Sequence, residues 1–421
     1  MNNQGSYARL ALLLLSVLSY SAYSSISNAE SLSGKANDVS IDDNISDKLS
    51  DHTIRVATFN VSIEAGNYLS RDELAGDPSR SVIVKQLLSG GEHSQIRNIA
   101  EIIQRVRPDI LLLNEFDYIS APQEGIELFI DNFLNKSQNG QASIDYPYYY
   151  IAPVNTGLAS PYDLDNDGQK SGNGADAYGF GYYSGQYGMA VLSRYPIKHD
   201  QVKTLQGFLW KDMPKALKPL NEDGSPWYSS EEWNALRLSS KSFWDVPITT
   251  EHGVVNVIAS HPTPPTFDGS EDRNGRRNHD EIRLISDYLA DAEYIVDDNG
   301  QQGGLASDSR FVVMGDLNSS ANEGDSIKSG ITGLMEHSLV NSSCQASSEA
   351  AKQLRPDNEF SPQHTASWGL RVDYVLPSRY GLGVQQCGVF WPKEDTPAFE
   401  LIKDRKASSD HRLVWLDLVI E

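Results

Sequence analysis

Six short apolar runs, each with a polar residue at or beside one end, constrain this 421-residue chain more than any other feature. They are 53–60 (TIRVATFN), 110–115 (ILLLNE), 254–261 (VVNVIASH), 311–318 (FVVMGDLN), 372–376 (VDYVL) and 413–419 (LVWLDLV). The last follows Asp410-His411 almost directly. Runs of this length, rich in branched side chains, have the signature of strands buried in a sheet. Between the first two, Ile96, Ile99, Ile103 and Val106 recur at helical spacing and Pro108 closes the segment. A second helix is expected over about 280–294, with Ile282, Ile285 and Leu289 on its buried stripe. Apolar strands alternating with helices predict an α/β fold whose sheets are covered on their outer faces. In such folds, polar residues at strand ends are the usual place for a site.

The N-terminus reads as an export signal. Arg9 supplies positive charge, the run 10–18 (LALLLLSVL) is too short to span a bilayer, and Ser27-Asn28-Ala29 offers a small-x-small cleavage pattern. Residues 1–29 are therefore expected to be a signal peptide and 30–51 a flexible acidic leader. Residues 52–421 are expected to form one large domain carrying two inserted loops, 155–188 and 205–250. No later stretch is long and apolar enough to cross a membrane, so no stable membrane anchor is expected, and nothing in the sequence indicates a protein partner. This reading makes the protein secreted or periplasmic. In that setting the only two cysteines, Cys344 and Cys387, are expected to pair, which would stabilise by roughly 4 kcal/mol. Neither has the CxxC or nearby His partner of a zinc site. The net charge is −22, and losing residues 1–29 removes one Arg and no acid, giving −23. Such a surface repels polyanions and disfavours a processive nuclease, unless a bound divalent cation inverts the field locally.

Asn60, Glu115, His261, Asp316, Asn318, Asp373, Asp410 and His411 all fall at or beside the ends of these runs. Each alone has a plain structural explanation, since Asp and Asn after a strand are common turn formers. Together they match one chemical need. Hydrolysis of a phosphate ester wants a divalent cation on oxygen ligands, a group that orients water, and donors for developing charge. Carboxylate and amide oxygens suit Mg²⁺, Mn²⁺ or Ca²⁺, and histidine supplies donors and protons.

The ordered set TFN, NEF, GMAVLSRYP, SHP, GDLN, RVDYVLPS and SDHR resembles the endonuclease/exonuclease/phosphatase superfamily over roughly residues 52–421. The resemblance implies a four-layer α/β sandwich, with two face-to-face mixed β-sheets flanked by helices. It implies that Glu115 binds Mg²⁺ or Mn²⁺, with Asn60 and Asp410 near the same ion. Asp316 would orient or deprotonate the attacking water, and Asn318 would hold the scissile phosphate. His411 would contact a phosphate oxygen with its tautomer fixed by Asp373, and His261 would be the second histidine. Water would attack directly, without a covalent intermediate.

Two segments depart from the family's nucleases. Arg273, Arg276 and Arg277 follow the SHP segment and offer a phosphate clamp, or else a solvated loop paired with Glu271, Asp272 and Asp280. Asp163, Asp165, Asp167 and Gly168 match the opening of a calcium loop, with Asp176 as a distant closing acid, so a structural Ca²⁺ is expected there. The substrate expected first is a small phosphorylated molecule. Nucleic acid is the second choice. A sphingomyelinase-like action on lipid is the third, which would use the Trp-rich stretch 205–250 as an exposed apolar hairpin. A non-enzymatic binding module fits least well with so complete a polar set.

Overall fold

A computed structural model describes residues 52–421. The expected signal peptide and leader lie outside the described residues. Among the described residues, eleven strands form two sheets. The first contains β1 (Thr53–Ile63), β2 (Ile110–Phe116), β3 (Tyr148–Tyr150), β4 (Met189–Ser193), β10 (Leu382–Val389) and β11 (Val414–Ile420), in the order β10-β11-β1-β2-β4-β3. The second contains β5 (Lys203–Thr204), β6 (Phe243–Thr250), β7 (Gly253–Ser260), β8 (Phe311–Asp316) and β9 (Asp373–Pro377), in sequence order. Each sheet is mixed, with one parallel pair, β1–β2 in the first and β7–β8 in the second. Among the apolar runs, all six are strands, displaced by no more than three residues at either end.

Period-two alternation explains how the second sheet is covered on both faces. Trp244, Val246, Val257, Ala259, Val312, Met314 and Val375 join the core between the sheets. Their strand neighbours Phe243, Ile258, Val313, Tyr374 and Leu376 face a second cluster built on the helix Arg273–Leu289 through Ile282, Ile285 and Leu289. The first sheet is covered by the helix Ser94–Val106, whose Ile96, Ile99, Ile103 and Val106 are all buried. The sandwich is therefore four layers thick, as the resemblance implies.

Boundaries differ in one instructive place. The second helix begins at Arg273 and ends at Leu289 rather than spanning 280–294, so its arginines lie on helical backbone. The polar first half hid the helix, because its apolar stripe starts only at Ile282. The stretch 205–250 also ends in β6, a strand inside the second sheet. Its tryptophans are interior or half-buried: Trp210 and Trp244 are fully buried, and Trp227 and Trp233 pack against the second cluster. That segment presents no exposed tryptophan hairpin. The Cys344–Cys387 disulfide is formed and ties the edge strand β10 to the loop before the helix Glu349–Leu354.

Candidate active site

The two sheets bring their polar strand ends together around Asp316. In the antiparallel β8–β9 register Asp316 lies directly opposite Asp373, and in the parallel β1–β2 register Asn60 lies opposite Asn114. Gly315 makes the approach possible. Its φ is 153°, and a Cβ there would stand 1.9 Å from the Ser260 carbonyl oxygen at the end of β7. Only glycine fits that close passage. Asp316 then receives Asn60 Nδ2 at 3.1 Å and the Asn318 amide at 2.9 Å. Its own amide donates to Asn114 Oδ1 at 3.2 Å, so hydrogen bonds join the sheets at the site.

Two imidazoles flank the same carboxylate. His261 Nε2 lies 3.5 Å and His411 Nε2 3.6 Å from Asp316 Oδ2. On its other side, His411 Nδ1 lies 3.0 and 3.2 Å from the two Asp373 oxygens. Asp373 is fixed in turn, its amide donating to Thr365 Oγ1 at 3.0 Å. All four ionisable groups are buried. Burial alone would lower His411, but the carboxylates of Asp373 and Asp316 outweigh it and raise the imidazole to about 10. Burial and the nearby Lys241 charge lower His261. Burial would raise Asp316, yet the His411 charge and the hydrogen bonds from His261 and Asn60 hold it below the usual carboxylate range. Near neutral pH the centre thus holds one imidazolium, one neutral imidazole and an ionised Asp316 between them.

Asn318 follows β8 with φ 51° and donates through Nδ2 to the Pro262 carbonyl at 3.1 Å. Glu115, at the end of β2, also has positive φ, 54°, and accepts from Ser62 Oγ at 3.5 Å. Positive φ at such residues is strain of the kind that concentrates at functional sites. Asp410 pairs with Arg405 at 3.2 Å. Burial would lower Arg405, but the fields of Asp410, Glu115 and Glu64 overcome it and raise the guanidinium's pKa. Glu64 is itself raised to about 7 by burial and by the charge of Glu115. Several acids thus converge on one cation, a negative field suited to a further positive ion. The side chains of Glu115, Asn60 and Asp410 offer hard oxygen donors, the kind that Mg²⁺, Mn²⁺ or Ca²⁺ takes.

The other sequence-predicted groups sit differently. Arg273 pairs with Glu271 and lies 5.3 Å from the Trp227 ring centroid. Arg276 donates to the Glu271 carbonyl at 3.1 Å. Arg277 donates to the carbonyls of Leu238, Tyr178 and Arg237, tying both inserted stretches to its helix. The arginines therefore already have protein partners, and Arg277 spends its donors on backbone. Ligand atoms of Asp163, Asp165 and Asp176 lie within 4.8 Å of one another, and Asp167 stands outside that group. Sequence reading missed Lys241, Arg405, Asn114 and Thr365. Arg405 left a signal, five residues before Asp410, whereas Lys241 and Thr365 reach the centre only through long-range pairing.

Acids and histidines collected on one edge of two facing mixed sheets define a phosphoesterase-type sandwich. The chain belongs to the endonuclease/exonuclease/phosphatase family, whose model matches residues 58–411 and whose members hydrolyse phosphate esters. Among solved structures it is similar to an endonuclease/exonuclease/phosphatase from Beutenbergia cavernae DSM 12333, at 18% identity over 88% of this chain and 72% of that one, TM-score 0.48. It is also similar to beta toxin from Staphylococcus aureus with bound magnesium ions, at 14% identity over 87% and 99% of the two chains, TM-score 0.44. The human Nocturnin catalytic domain with bound sulfate shows 16% identity over 88% and 95%, TM-score 0.41. No curated protein matches the sequence.

Proposed function

We propose that this protein is an exported, divalent-metal-dependent phosphoesterase that hydrolyses small phosphate esters by direct attack of water. The observation that carries the reading is the buried Asp316 carboxylate, held by Asn60 and flanked by two imidazoles at 3.5 and 3.6 Å. An acid held below its usual range is a weak base, so Asp316 serves mainly to aim a water by accepting its hydrogen bond. His411, kept protonated by Asp373, would donate to a phosphate oxygen, and Asn318 would hold the same group. Neutral His261 is free to exchange a proton near the leaving group. Glu115, Asn60 and Asp410 would hold Mg²⁺ or Mn²⁺, which when bound would neutralise phosphate charge.

Export is supported by the N-terminal pattern and by the disulfide, since such bonds persist in oxidising compartments. Among the described residues no helix is long and apolar enough to cross a membrane. The acidic surface favours a compact substrate over duplex nucleic acid, which needs an extended basic track. Purified protein assayed with Mg²⁺ on a chromogenic monoester, a chromogenic diester, plasmid DNA and sphingomyelin tests the reading. The expected result is a higher specificity constant on a small ester than on DNA. Efficient plasmid cleavage with little small-ester turnover would make the protein a nuclease instead.

A further inference from the structure

Beyond the strand-end acids and histidines, the structure holds a cation in the same region that sequence reading passed over. Lys241 is 5% exposed, yet among the described residues its ammonium has no hydrogen bond and no ion pair. Its charge is balanced only at longer range, by Glu281, Glu115 and Asp316, and is opposed by Arg277. A buried ammonium without a close partner is costly, and proteins keep one where an anion or a reaction uses it.

Register explains how Lys241 arrives there. The β6–β7 ladder ends at the pair Phe243–Ser260. Continued outward, the same antiparallel count sets Ser242 against His261, Lys241 against Pro262 and Ser240 against Thr263. Glu281 clasps that last pair, one carboxylate oxygen accepting the Ser240 amide at 2.6 Å and the other the Thr263 amide at 2.6 Å. The Asn155 amide, donating to the Lys241 carbonyl at 2.8 Å, fixes the strand from the other side. Lys241 therefore lies across from Pro262, whose carbonyl holds Asn318 and whose neighbour is His261. Around this overhang several buried polar atoms lack any partner: His261 Nδ1, Ser240 Oγ and Thr263 Oγ1. The two unsatisfied hydroxyls, gathered beside an unpaired cation, describe a place built for a polar, negatively charged guest.

We propose that Lys241 is a phosphate-binding residue of the active site, holding the scissile phosphate on the His261–Asn318 side, with the Ser240 and Thr263 hydroxyls as further donors. The inference rests on the phosphoesterase reading but is tested apart from turnover. Binding of inorganic phosphate to the EDTA-treated wild type is measured by calorimetry, beside Lys241→Arg, Lys241→Gln and Lys241→Met. A lost charged hydrogen bond predicts that phosphate binding weakens about tenfold or more in the Gln and Met variants, while Arg retains most of it. In the wild type, phosphate should shift the Lys241 Cε resonance, a readout that needs no variant and survives a failure of either to fold. In the enzymatic arm, phosphate should compete with a small ester, and Lys241→Gln should raise both its inhibition constant and the substrate KM. A phosphate bound elsewhere on the protein would instead leave the substrate KM unchanged. Folded Gln or Met variants that bind phosphate as tightly as wild type would overturn the proposal, as would a wild type that binds none. A wild type that binds phosphate through Lys241 but hydrolyses no ester would keep this site and sink the phosphoesterase reading alone.

Discussion

Among the described residues, two groups of ionisable side chains bring their ligand atoms within 4.8 Å, Asp316–Asp373–His411 and Asp163–Asp165–Asp176, and they manage the repulsion between carboxylates by opposite means. The first is buried at strand ends and offsets its two carboxylates with an imidazolium between them. The second lies on a half-exposed loop and is held by backbone amides. Asp163 accepts from Asp167 and Gly168, and Asp176 from Leu164 and Ser171. Asp165 is raised by burial and by its acidic neighbours Asp167, Asp176 and Asp163. In the buried cluster, charge is fixed by a partner side chain and is therefore available for chemistry. In the loop it is spread over the backbone amides of turns, which shape the chain.

The largest test of this contrast is Asp316→Asn. Losing a water-orienting carboxylate should cut kcat on a small ester by about 10²–10⁴-fold with the fold kept, whereas Asp163→Asn should leave kcat near wild type. Comparable losses in both, measured with melting curves alongside, would erase the distinction. Next comes Glu115→Gln, expected to remove most turnover in Mg²⁺ and to abolish the benefit of adding metal back after EDTA treatment. Undiminished activity in that variant would exclude Glu115 as a ligand.

The His411 charge gives a third and smaller effect, on stability. Its folded value, about 10, lies above the unfolded value of about 6.5, so its contribution is fully present below the unfolded value. That contribution is lost as pH rises through the folded value. Thermal stability of the wild type should therefore fall from neutral pH towards 10, and His411→Gln should flatten that slope. A slope identical in both proteins would show that the imidazole is not charged by Asp373 and Asp316. Smallest is Asp165→Asn, which in EDTA should stabilise by no more than about 0.5 kcal/mol, as befits a surface change. The calcium expectation for the loop requires the sign to reverse when Ca²⁺ is added. The same small gain with and without Ca²⁺ would leave an acidic turn.

Local patterns carried a great deal of this protein in the sequence. Strand length and branching marked the six runs, helical spacing marked the helix Ser94–Val106, and the polar ends of the strands named the residues that meet at Asp316. These features are legible because burial on one face acts residue by residue along a strand or helix. Cys344 and Cys387 pair as expected. What tertiary structure alone decided is where charges without a local pattern end up. Arg277 looks like a phosphate clamp beside the SHP segment, yet its donors go to carbonyls of both inserted stretches, chain distant by 39 to 99 residues. Lys241, unremarked in SSKSFW, reaches the centre because β6 pairs with β7 and carries it past His261. The fate of a long polar side chain depends on which distant backbone lies within reach, and that is set by sheet register, which no single segment encodes.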